Sequence, residues 1–345
     1  MKVIVVGAGL GGLTLAHGLR QAGVEVAVYE RDGACGRPQG VSLHCDDRGG
    51  QALRACLPPA HVAMVEATMG GLREQTLSLA EVDGELAVVG AQPSGGTGPA
   101  RPGRQVHRPL LRAVLLTGLD VHFGAAFTHY DLPADGTVRA WFADGRVDTA
   151  DVLVGADGIG SAVRRQYLPD VTVVDAGWRM WMGATPLREV AGLAELIGDD
   201  PASARIGDTM MALGVLRFTE PPVAARDRWL PALRFDAVAQ LEDYVMWAVT
   251  AEKPDLPAAL QQVVDRAWPD LTVELRIGMI PPVPAWAAGP VTVIGDAIRL
   301  APGFGGNLAM RDAQRLCEAL VDVVKGRREL LAAIGGYEHE LRSGR

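Results

Sequence analysis

Residues 2–12 read KVIVVGAGLGG, and residues 26–30 read VAVYE. The first stretch is an apolar run that ends in closely spaced glycines, and a helix-forming segment separates it from the second apolar run. This order of strand, glycine turn, helix and strand ending in an acid predicts a βαβ nucleotide-binding unit. We therefore expect an α/β fold with a Rossmann-like domain at the start of the chain.

Each residue of the glycine turn has its own physical task. Gly7 permits the tight turn after the strand, Gly9 lets the backbone approach a pyrophosphate, and Gly12 lets the helix pack closely on the sheet. Leu10 and Gly11 lie at the helix N-terminus, where free N–H groups and a partial positive charge favour phosphates.

Glu30 closes the second apolar run, where a carboxylate can accept hydrogen bonds from a ribose diol. A cluster of glycines formed by chance would not explain an acid at this position. Because strand, helix and acid all accompany the glycine pattern, the segment predicts a dinucleotide site.

Composition sets limits on the kind of protein. The 345 residues are enough for about two domains, and 48% hydrophobic with 21% charged residues is ordinary for a globular protein. The formal net charge of −8 argues against nucleic acid or an anionic membrane as a main partner. No apolar run is long enough to span a membrane, and the N-terminal run leads straight into the glycine turn, unlike a signal peptide. We expect a cytoplasmic protein, a monomer or weak homodimer.

Cysteine and histidine usage gives no sign of a metal site. The four cysteines (Cys35, Cys45, Cys56 and Cys317) lack metal-binding spacing and are too few to suggest a disulfide framework. The seven histidines are scattered and form no HExxH motif. We therefore predict no bound metal.

Two further motifs place an acid after an apolar run. Residues 157–164 read DGIGSAVR, and residues 293–297 read VIGDA. Strand ends of this kind meet at the edge of an open α/β sheet where ligands bind. For the first motif, an ordinary strand–turn–helix junction with Ser161 as the helix cap is an equally good explanation. The second precedes a helix predicted over about residues 307–325, whose N-terminus can face an electron-rich ring.

The three motifs in this order resemble the FAD-dependent aromatic hydroxylases, the single-component flavoprotein monooxygenases of the p-hydroxybenzoate hydroxylase type. Residues 106–111 (VHRPLL) are similar to the family's Arg-x-x-Leu segment, whose arginine contacts FAD. Residues 39–44 (QGVSLH) are similar to the segment after the ribose acid in the tetracycline-inactivating branch. The resemblance covers nearly the whole chain and is weakest between residues 172 and 275.

The resemblance implies which residues hold the cofactor. In the family's pattern Arg108 reaches the flavin side, Asp157 contacts FAD and Asp296 binds the ribityl chain, while the Asp-Gly segment also takes part in NAD(P)H use. The implied cofactor-binding residues are Gly7, Gly9, Leu10, Gly11, Gly12, Glu30, Arg31, Arg108, Asp157, Gly158, Asp296, Gly305, Gly306 and Asn307. No second GxGxxG is present, which fits a family where the nicotinamide cofactor binds transiently.

The resemblance also implies a reaction. NAD(P)H reduces FAD, O2 adds to form a flavin C4a-hydroperoxide, and its terminal oxygen hydroxylates an aromatic or polyketide-like small molecule. The cofactor carries the hard chemistry, so no catalytic side chain is predicted. The alternative is a redox-neutral, cyclase-like flavoprotein of secondary metabolism that uses FAD as a scaffold. A non-enzymatic flavin sensor or degenerate partner subunit is a third hypothesis.

The middle of the chain predicts a mostly β substrate domain, since residues 172–250 carry four of the seven tryptophans and several β-like runs. We place a discontinuous FAD-binding domain at 1–75, 100–171 and 276–325, the substrate domain at 76–99 and 172–275, and a C-terminal helix at 326–345. Substrate contacts are predicted for Trp178, Met180, Trp181 and Met182, although packing in a β core explains these residues equally well.

The chain departs from the family after its third motif. The usual Gly-Asp-Ala-Ala-His is here Gly-Asp-Ala-Ile-Arg, ending at Arg299, and the loop after Pro302 is shorter. Arg299 could pair with an acidic substrate or stabilise a flavin anion, but a position on a helix or loop surface is the simpler explanation. The shorter loop could alter flavin mobility, oxygen chemistry or substrate access.

Overall fold

Five parallel strands form the sheet around which this computed structural model is organised. The structure describes residues 1–34, 39–93, 101–300 and 305–344. In chain order the strands are β1 (Lys2–Val6), β2 (Glu25–Glu30), β3 (Ser42–Asp46), β4 (Leu72–Arg73), β5 (Gln75–Val82), β6 (Glu85–Pro93), β7 (Gly103–His107), β8 (Val121–Phe123), β9 (Phe127–Asp131), β10 (Val138–Phe142), β11 (Val147–Ala150), β12 (Val152–Gly155), β13 (Val174–Pro186), β14 (Ala202–Ile206), β15 (Thr209–Leu216), β16 (Tyr244–Val249), β17 (Val273–Met279) and β18 (Val291–Val293). The α-helices are α1 (Leu10–Gln21), α2 (Asp47–Cys56), α3 (Pro59–Ala67), α4 (Arg108–Leu116), α5 (Ala162–Tyr167), α6 (Ala191–Ile197), α7 (Pro222–Trp229), α8 (Ala258–Asp265), α9 (Gly305–Val324) and α10 (Leu330–Ser343).

The parallel sheet has the strand order β18-β12-β1-β2-β8. Its central strand β1 pairs with β12 on one side and β2 on the other, and its residues 3–6 are buried. Continuous apolar runs of this kind are typical of parallel strands that are covered on both faces. The Rossmann-like α/β prediction is therefore confirmed.

Helix α1 packs closely between α2 and α9 on this sheet. A Cβ atom at Gly18 of α1 would lie 2.8 Å from the sulfur of Cys317 and 3.1 Å from that of Cys56, so only glycine allows this approach. Both cysteines are buried and free, as is Cys45, whereas Cys35 lies outside the described residues.

A second, seven-stranded sheet carries the mostly β part of the chain, in the order β17-β13-β16-β15-β14-β5-β6. Its pairings are antiparallel except for β14 with β5. Trp247 of β16 is fully buried in the apolar cluster of this sheet. The predicted mostly β second unit is thus present, while the domain boundaries drawn from the sequence stay a prediction.

Two smaller sheets complete the fold, β3-β7-β4 and β11-β10-β9. The first is joined to the seven-stranded sheet through Arg73 of β4, which is buried and donates to the carbonyl oxygen of Val215 at 2.7 Å and to the side chain of Gln105. Within the described residues, no helix is long and apolar enough to cross a membrane.

Two helices agree with what the local sequence predicts. Ser161 caps α5 by accepting a hydrogen bond from the Arg164 N–H at 2.9 Å, as predicted. The helix predicted over about 307–325 is α9, Gly305–Val324. The shortened loop after Pro302 involves residues 301–304, which lie outside the described residues.

His107 generates a prediction about pH. Its Nδ1 accepts a hydrogen bond from the Leu110 N–H at 3.2 Å and caps α4, and burial lowers its pKa to about 4. The folded protein therefore holds His107 neutral, while the unfolded chain takes up a proton near pH 6.5. Stability from this group is complete above pH 6.5 and is lost as the pH falls toward 4, by up to about 3 kcal/mol.

We expect His107→Asn to reduce this acid sensitivity, because asparagine keeps a cap acceptor but does not titrate. Urea unfolding at neutral pH and at pH 4.5 measures the difference. His17 also has a pKa lowered to about 4 by burial, so the variant retains part of the pH dependence. Equal losses in the variant and the parent protein would contradict the assignment.

Candidate functional site

A cleft of about 690 Å³ runs along the carboxyl edge of the parallel sheet. It extends from Glu30, at the end of β2, past the glycine turn after β1 to Asp296, which follows β18. Residues 275–278 of β17 and Met182 of β13 form its wall on the side of the seven-stranded sheet. Parallel strands carry ligands at this edge, so the topology places the predicted site in the expected position.

The glycine turn shows which glycines pack and which one opens on the cleft. A Cβ at Gly7, where φ is +110°, would lie 2.3 Å from the Ala156 carbonyl oxygen, and one at Gly12 would lie 2.2 Å from the Gly7 carbonyl oxygen. A Cβ at Gly9 would meet nothing within 4 Å. Gly7 and Gly12 are thus required by close packing, whereas Gly9 leaves room for a ligand.

The N-terminus of α1 points donors at this opening. Gly9 is the N-cap residue and makes no side-chain cap bond. In the described residues no acceptor is found for the N–H groups of Leu10, Gly11 or Gly12, all of which line the cleft. Unpaired N–H groups and the helix dipole together favour an anion such as a diphosphate.

Glu30 is held in place before any ligand arrives. One carboxylate oxygen accepts from the Ala8 N–H at 2.7 Å and the other from the Asp32 N–H at 2.9 Å. Each oxygen keeps a second lone pair for hydroxyl donors in the cleft. Arg31 follows Glu30, lines the same end of the cleft and is exposed.

Asp157 lines the cleft and also caps a helix. Its carboxylate accepts from the Ser161 hydroxyl at 2.5 Å and from the N–H groups of Ala162 at 2.7 Å and Val163 at 3.2 Å. An ordinary strand–turn–helix junction therefore accounts for the observed hydrogen bonds of Asp157. Gly158, with φ of +74°, makes the turn beside it and lines the cleft too. A contact of either residue with FAD stays a prediction.

The far end of the cleft brings Asp296 and Arg108 together. Burial raises the pKa of Asp296 and lowers that of Arg108, and the opposite charge of each partner opposes its shift. Arg108 also donates to the Gln39 side-chain oxygen at 2.5 Å. A Cβ at Gly305 would lie 2.8 Å from the Asp296 Oδ1, so the start of α9 closes over this carboxylate.

Asn307 is used differently from its neighbours on α9. Gly305 and Gly306 line the cleft, but the Asn307 side chain is buried. It accepts from the Asp46 N–H at 3.1 Å and donates to the His44 carbonyl oxygen at 2.7 Å. This amide therefore ties α9 to β3, and its role toward FAD stays a prediction.

Of the five predicted substrate residues, Met182 lines the cleft in the described structure. Trp178 is 64% exposed, and Trp181 packs on the apolar cluster of the seven-stranded sheet. Met180 lies on β13 and does not border the cleft, while Arg299 forms an ion pair with the buried Asp312. Substrate contacts at these four positions gain no support from the geometry.

Residues that the sequence did not single out also shape the site. Arg112 donates to the Ala8 carbonyl oxygen at 3.1 Å and to the Ala34 carbonyl oxygen at 3.2 Å, which braces the glycine turn. Ser42 lines the cleft, and its hydroxyl lies 2.6 Å from that of the buried Tyr244. Arg112 follows Arg108 by one helical turn. This spacing could have indicated from the sequence that the two side chains lie on the same face of α4.

These observations fit FAD. The diphosphate has unpaired N–H donors and the open space at Gly9, a ribose has the two fixed oxygens of Glu30, and the cleft continues along the sheet edge to Asp296. In the described residues no group of three or more His, Cys, Asp or Glu is arranged to hold a metal ion.

Known proteins match this chain over nearly its full length. The profile of the family described as NAD(P)-binding Rossmann-like domain matches residues 5–46. An FAD-dependent urate hydroxylase from Klebsiella pneumoniae is 30% identical over 98% of this chain and 85% of its own length. The crystal structure of a candidate FAD-containing monooxygenase from Photorhabdus luminescens is 28% identical, with a TM-score of 0.82, and the match covers 100% of this chain and 94% of that one.

Some relatives are much longer. A dual O-methyltransferase/FAD-dependent monooxygenase from Phaeosphaeria nodorum is 27% identical over 97% of this chain, but the match covers 42% of that protein. A protein of the same description from Cercospora beticola is matched over 44% of its length. The chain therefore spans about two fifths of the length of these curated relatives.

The glycine turn allows a matched test. We expect Gly9→Ala to keep the thermal midpoint of the FAD-free protein but to weaken FAD binding at least tenfold, because the new methyl group enters the space for the diphosphate. Gly12→Ala, whose methyl group meets the Gly7 carbonyl oxygen, should lower the thermal midpoint itself. Differential scanning fluorimetry and FAD titration followed by flavin fluorescence measure the two effects. Unchanged FAD affinity in Gly9→Ala would place the diphosphate elsewhere.

Proposed function

This chain belongs to the FAD-dependent aromatic hydroxylases, and we propose that it is a monooxygenase that uses NAD(P)H and O2 to hydroxylate an aromatic or polyketide-like small molecule. The proposal is supported by one cleft that is lined by the N-terminus of α1, by the fixed Glu30 carboxylate, and by Asp296 and Arg108, whose charges act on each other. That arrangement suits one extended dinucleotide with its reactive ring at the far end.

Bound FAD supplies electron transfer from NAD(P)H and the activation of O2. The protein supplies binding and orientation. The N–H groups of α1 receive the diphosphate, and both Glu30 oxygens accept from ribose hydroxyls. Asp296 accepts from hydroxyls near the ring, while the neighbouring Arg108 stabilises its negative charge.

The wall opposite the parallel sheet supports a planar apolar substrate. In this wall Met182, Leu275 and Ile277 are apolar and Arg276 is charged, and Leu43 and Leu300 add apolar groups elsewhere in the lining. These apolar groups exclude water and offer contact area to a ring. The related proteins are described as a urate hydroxylase and as FAD-dependent monooxygenases, which agrees with ring substrates. Of the predicted substrate residues we retain Met182.

We further propose that the protein works in the cytoplasm, as a monomer or weak homodimer, with O2 as co-substrate. The acidic net charge of −8 supports a protein that does not associate with nucleic acid or an anionic membrane. Size-exclusion chromatography with light scattering measures the oligomeric state.

The decisive experiment combines a flavin spectrum with turnover. We expect the purified protein to bind FAD stoichiometrically and to oxidise NAD(P)H faster when a suitable phenolic or polyketide compound is added, with a product that gains one oxygen atom. Gly9→Ala serves as the control, because it should lose this activity at limiting FAD. Failure to bind FAD would refute the proposal. Product formed without NAD(P)H or O2 would instead indicate redox-neutral chemistry on the same cofactor.

A further inference from the structure

Four arginines meet outside the cleft, where α9 passes α2 and α10. Arg311 and Arg315 lie one turn apart on α9, Arg48 lies on α2, and Arg299 follows the Gly295–Ala297 turn. Burial, followed by the positive charges of Arg299, Arg315 and Arg48, lowers the pKa of Arg311 to about 10, against the opposing charge of Asp312. The geometry agrees, because Arg311 adjoins Asp312, the ion-pair partner of Arg299, and lies one helical turn from Arg315. We call this group the arginine cluster.

Acidic partners are shared unequally within the cluster. Arg48 pairs with the buried Asp46, and Arg299 pairs with the buried Asp312. Among the described residues, the acidic partner of Arg315 is distant, with its Nε 4.0 Å from the carboxylate of Glu340.

Arg311 has neither an ion pair nor a hydrogen bond in the described part of the chain. Its Nε is buried without a hydrogen-bond partner, as is one terminal nitrogen of Arg315. The terminal nitrogens of Arg311 are not among the buried unpaired atoms, and the residue is partly exposed. They are donors that solvent can reach.

Energetically this arrangement is unfavourable without a counter-ion. An exposed arginine loses little when unpaired, but a partly buried one pays desolvation and also repulsion from its neighbours. The negative charge of Asp312 favours the charged form of Arg311, but its two oxygens accept from Arg299 and from the Gly295 N–H, so Asp312 shares its charge with Arg299 and gives Arg311 no hydrogen bond. The cluster therefore carries excess positive charge together with unused planar donors, which is the recognition chemistry of a tetrahedral oxyanion.

We propose that the arginine cluster binds a doubly charged oxyanion of the phosphate or sulfate class, held mainly by the terminal nitrogens of Arg311 with Arg315 beside it. The site is separate from the cleft, since none of the four arginines lines it. It shares α9 and the Gly295–Ala297 turn with the Asp296 end of the cleft, so its occupant stabilises the elements that surround that carboxylate.

Titration of the FAD-loaded protein with sodium sulfate, at an ionic strength kept constant with sodium chloride, tests the proposal by the thermal midpoint. General exclusion of sulfate from protein surfaces raises the thermal midpoint steadily with concentration. Binding at a specific site adds a contribution that levels off once the site is filled. We expect a saturable component in the parent protein, reproduced by sodium phosphate and absent with sodium acetate. Saturation with phosphate alone would narrow the ligand to phosphate, while a response to acetate equal to that with sulfate would overturn the requirement for a dianion.

Variants separate binding from a structural role. In Arg311→Gln we expect the half-saturating sulfate concentration to rise at least about tenfold, as for the loss of a charge-assisted hydrogen-bonded pair. In chloride alone the same variant should be as stable as the parent or more so, because one repelling charge is gone. Arg311→Lys should bind with intermediate affinity, since it keeps the charge but loses the planar donors.

Arg54→Gln is the matched control, because Arg54 also lies near this region on α2 but pairs with the exposed Glu66 at 3.1 Å. It should leave the saturable component unchanged. A response of the parent protein that does not saturate with either sulfate or phosphate, or the same half-saturation in Arg311→Gln, would overturn the proposal. A variant that is destabilised equally in chloride and sulfate would identify Arg311 as a structural residue.

Discussion

The close contact between the first helix and the central strand is the constraint on which the rest of the structure depends. Gly12 lies so near the Gly7 carbonyl oxygen that no side chain fits between them. The turn is also fixed by its neighbours, because the Gly7 N–H donates to Tyr29 of β2 at 2.7 Å and the Ala156 N–H donates to Val6 at 2.7 Å. The ends of β1, β2 and β12 are thereby held together, so that Glu30 of β2 and Asp157 after β12 line a common cleft.

Acids at this edge are positioned by the backbone before they meet a ligand. Glu30 is held by two N–H groups, and Asp157 by two N–H groups and a hydroxyl. Hydrogen bonds to a carboxylate limit its rotation, so less conformational entropy is lost when a ligand binds. Asp296 differs, since burial raises its pKa and the opposing influence comes from the charge of Arg108. Hydrogen bonds thus fix the carboxylate at the Glu30 end of the cleft, whereas the charge of Arg108 stabilises the carboxylate at the Asp296 end.

The sequence predicts the parts of the fold that depend on local order. The βαβ unit, the close packing at Gly7 and Gly12, the cap at Ser161 and the extent of α9 follow from short patterns, and the three motifs in series indicate the family. Tertiary contacts decide the rest. Asn307 could not be placed from sequence, because its amide bonds depend on where β3 passes α9. Trp178 and Trp181 are near neighbours in sequence yet meet solvent and core respectively, which depends on the register of β13.

The position of β17 has a consequence for solubility. This strand ends the order of the seven-stranded sheet, and its residues 275–278 border the cleft. A terminal strand carries backbone groups without a neighbouring strand, and such rows can join one molecule to another in aggregates. Because residues 275–278 line the cleft, a ligand there would lie against this part of the strand. We therefore expect the FAD-free protein to aggregate more readily than the FAD-bound form. Adding the cofactor during expression should then raise the yield of monodisperse protein.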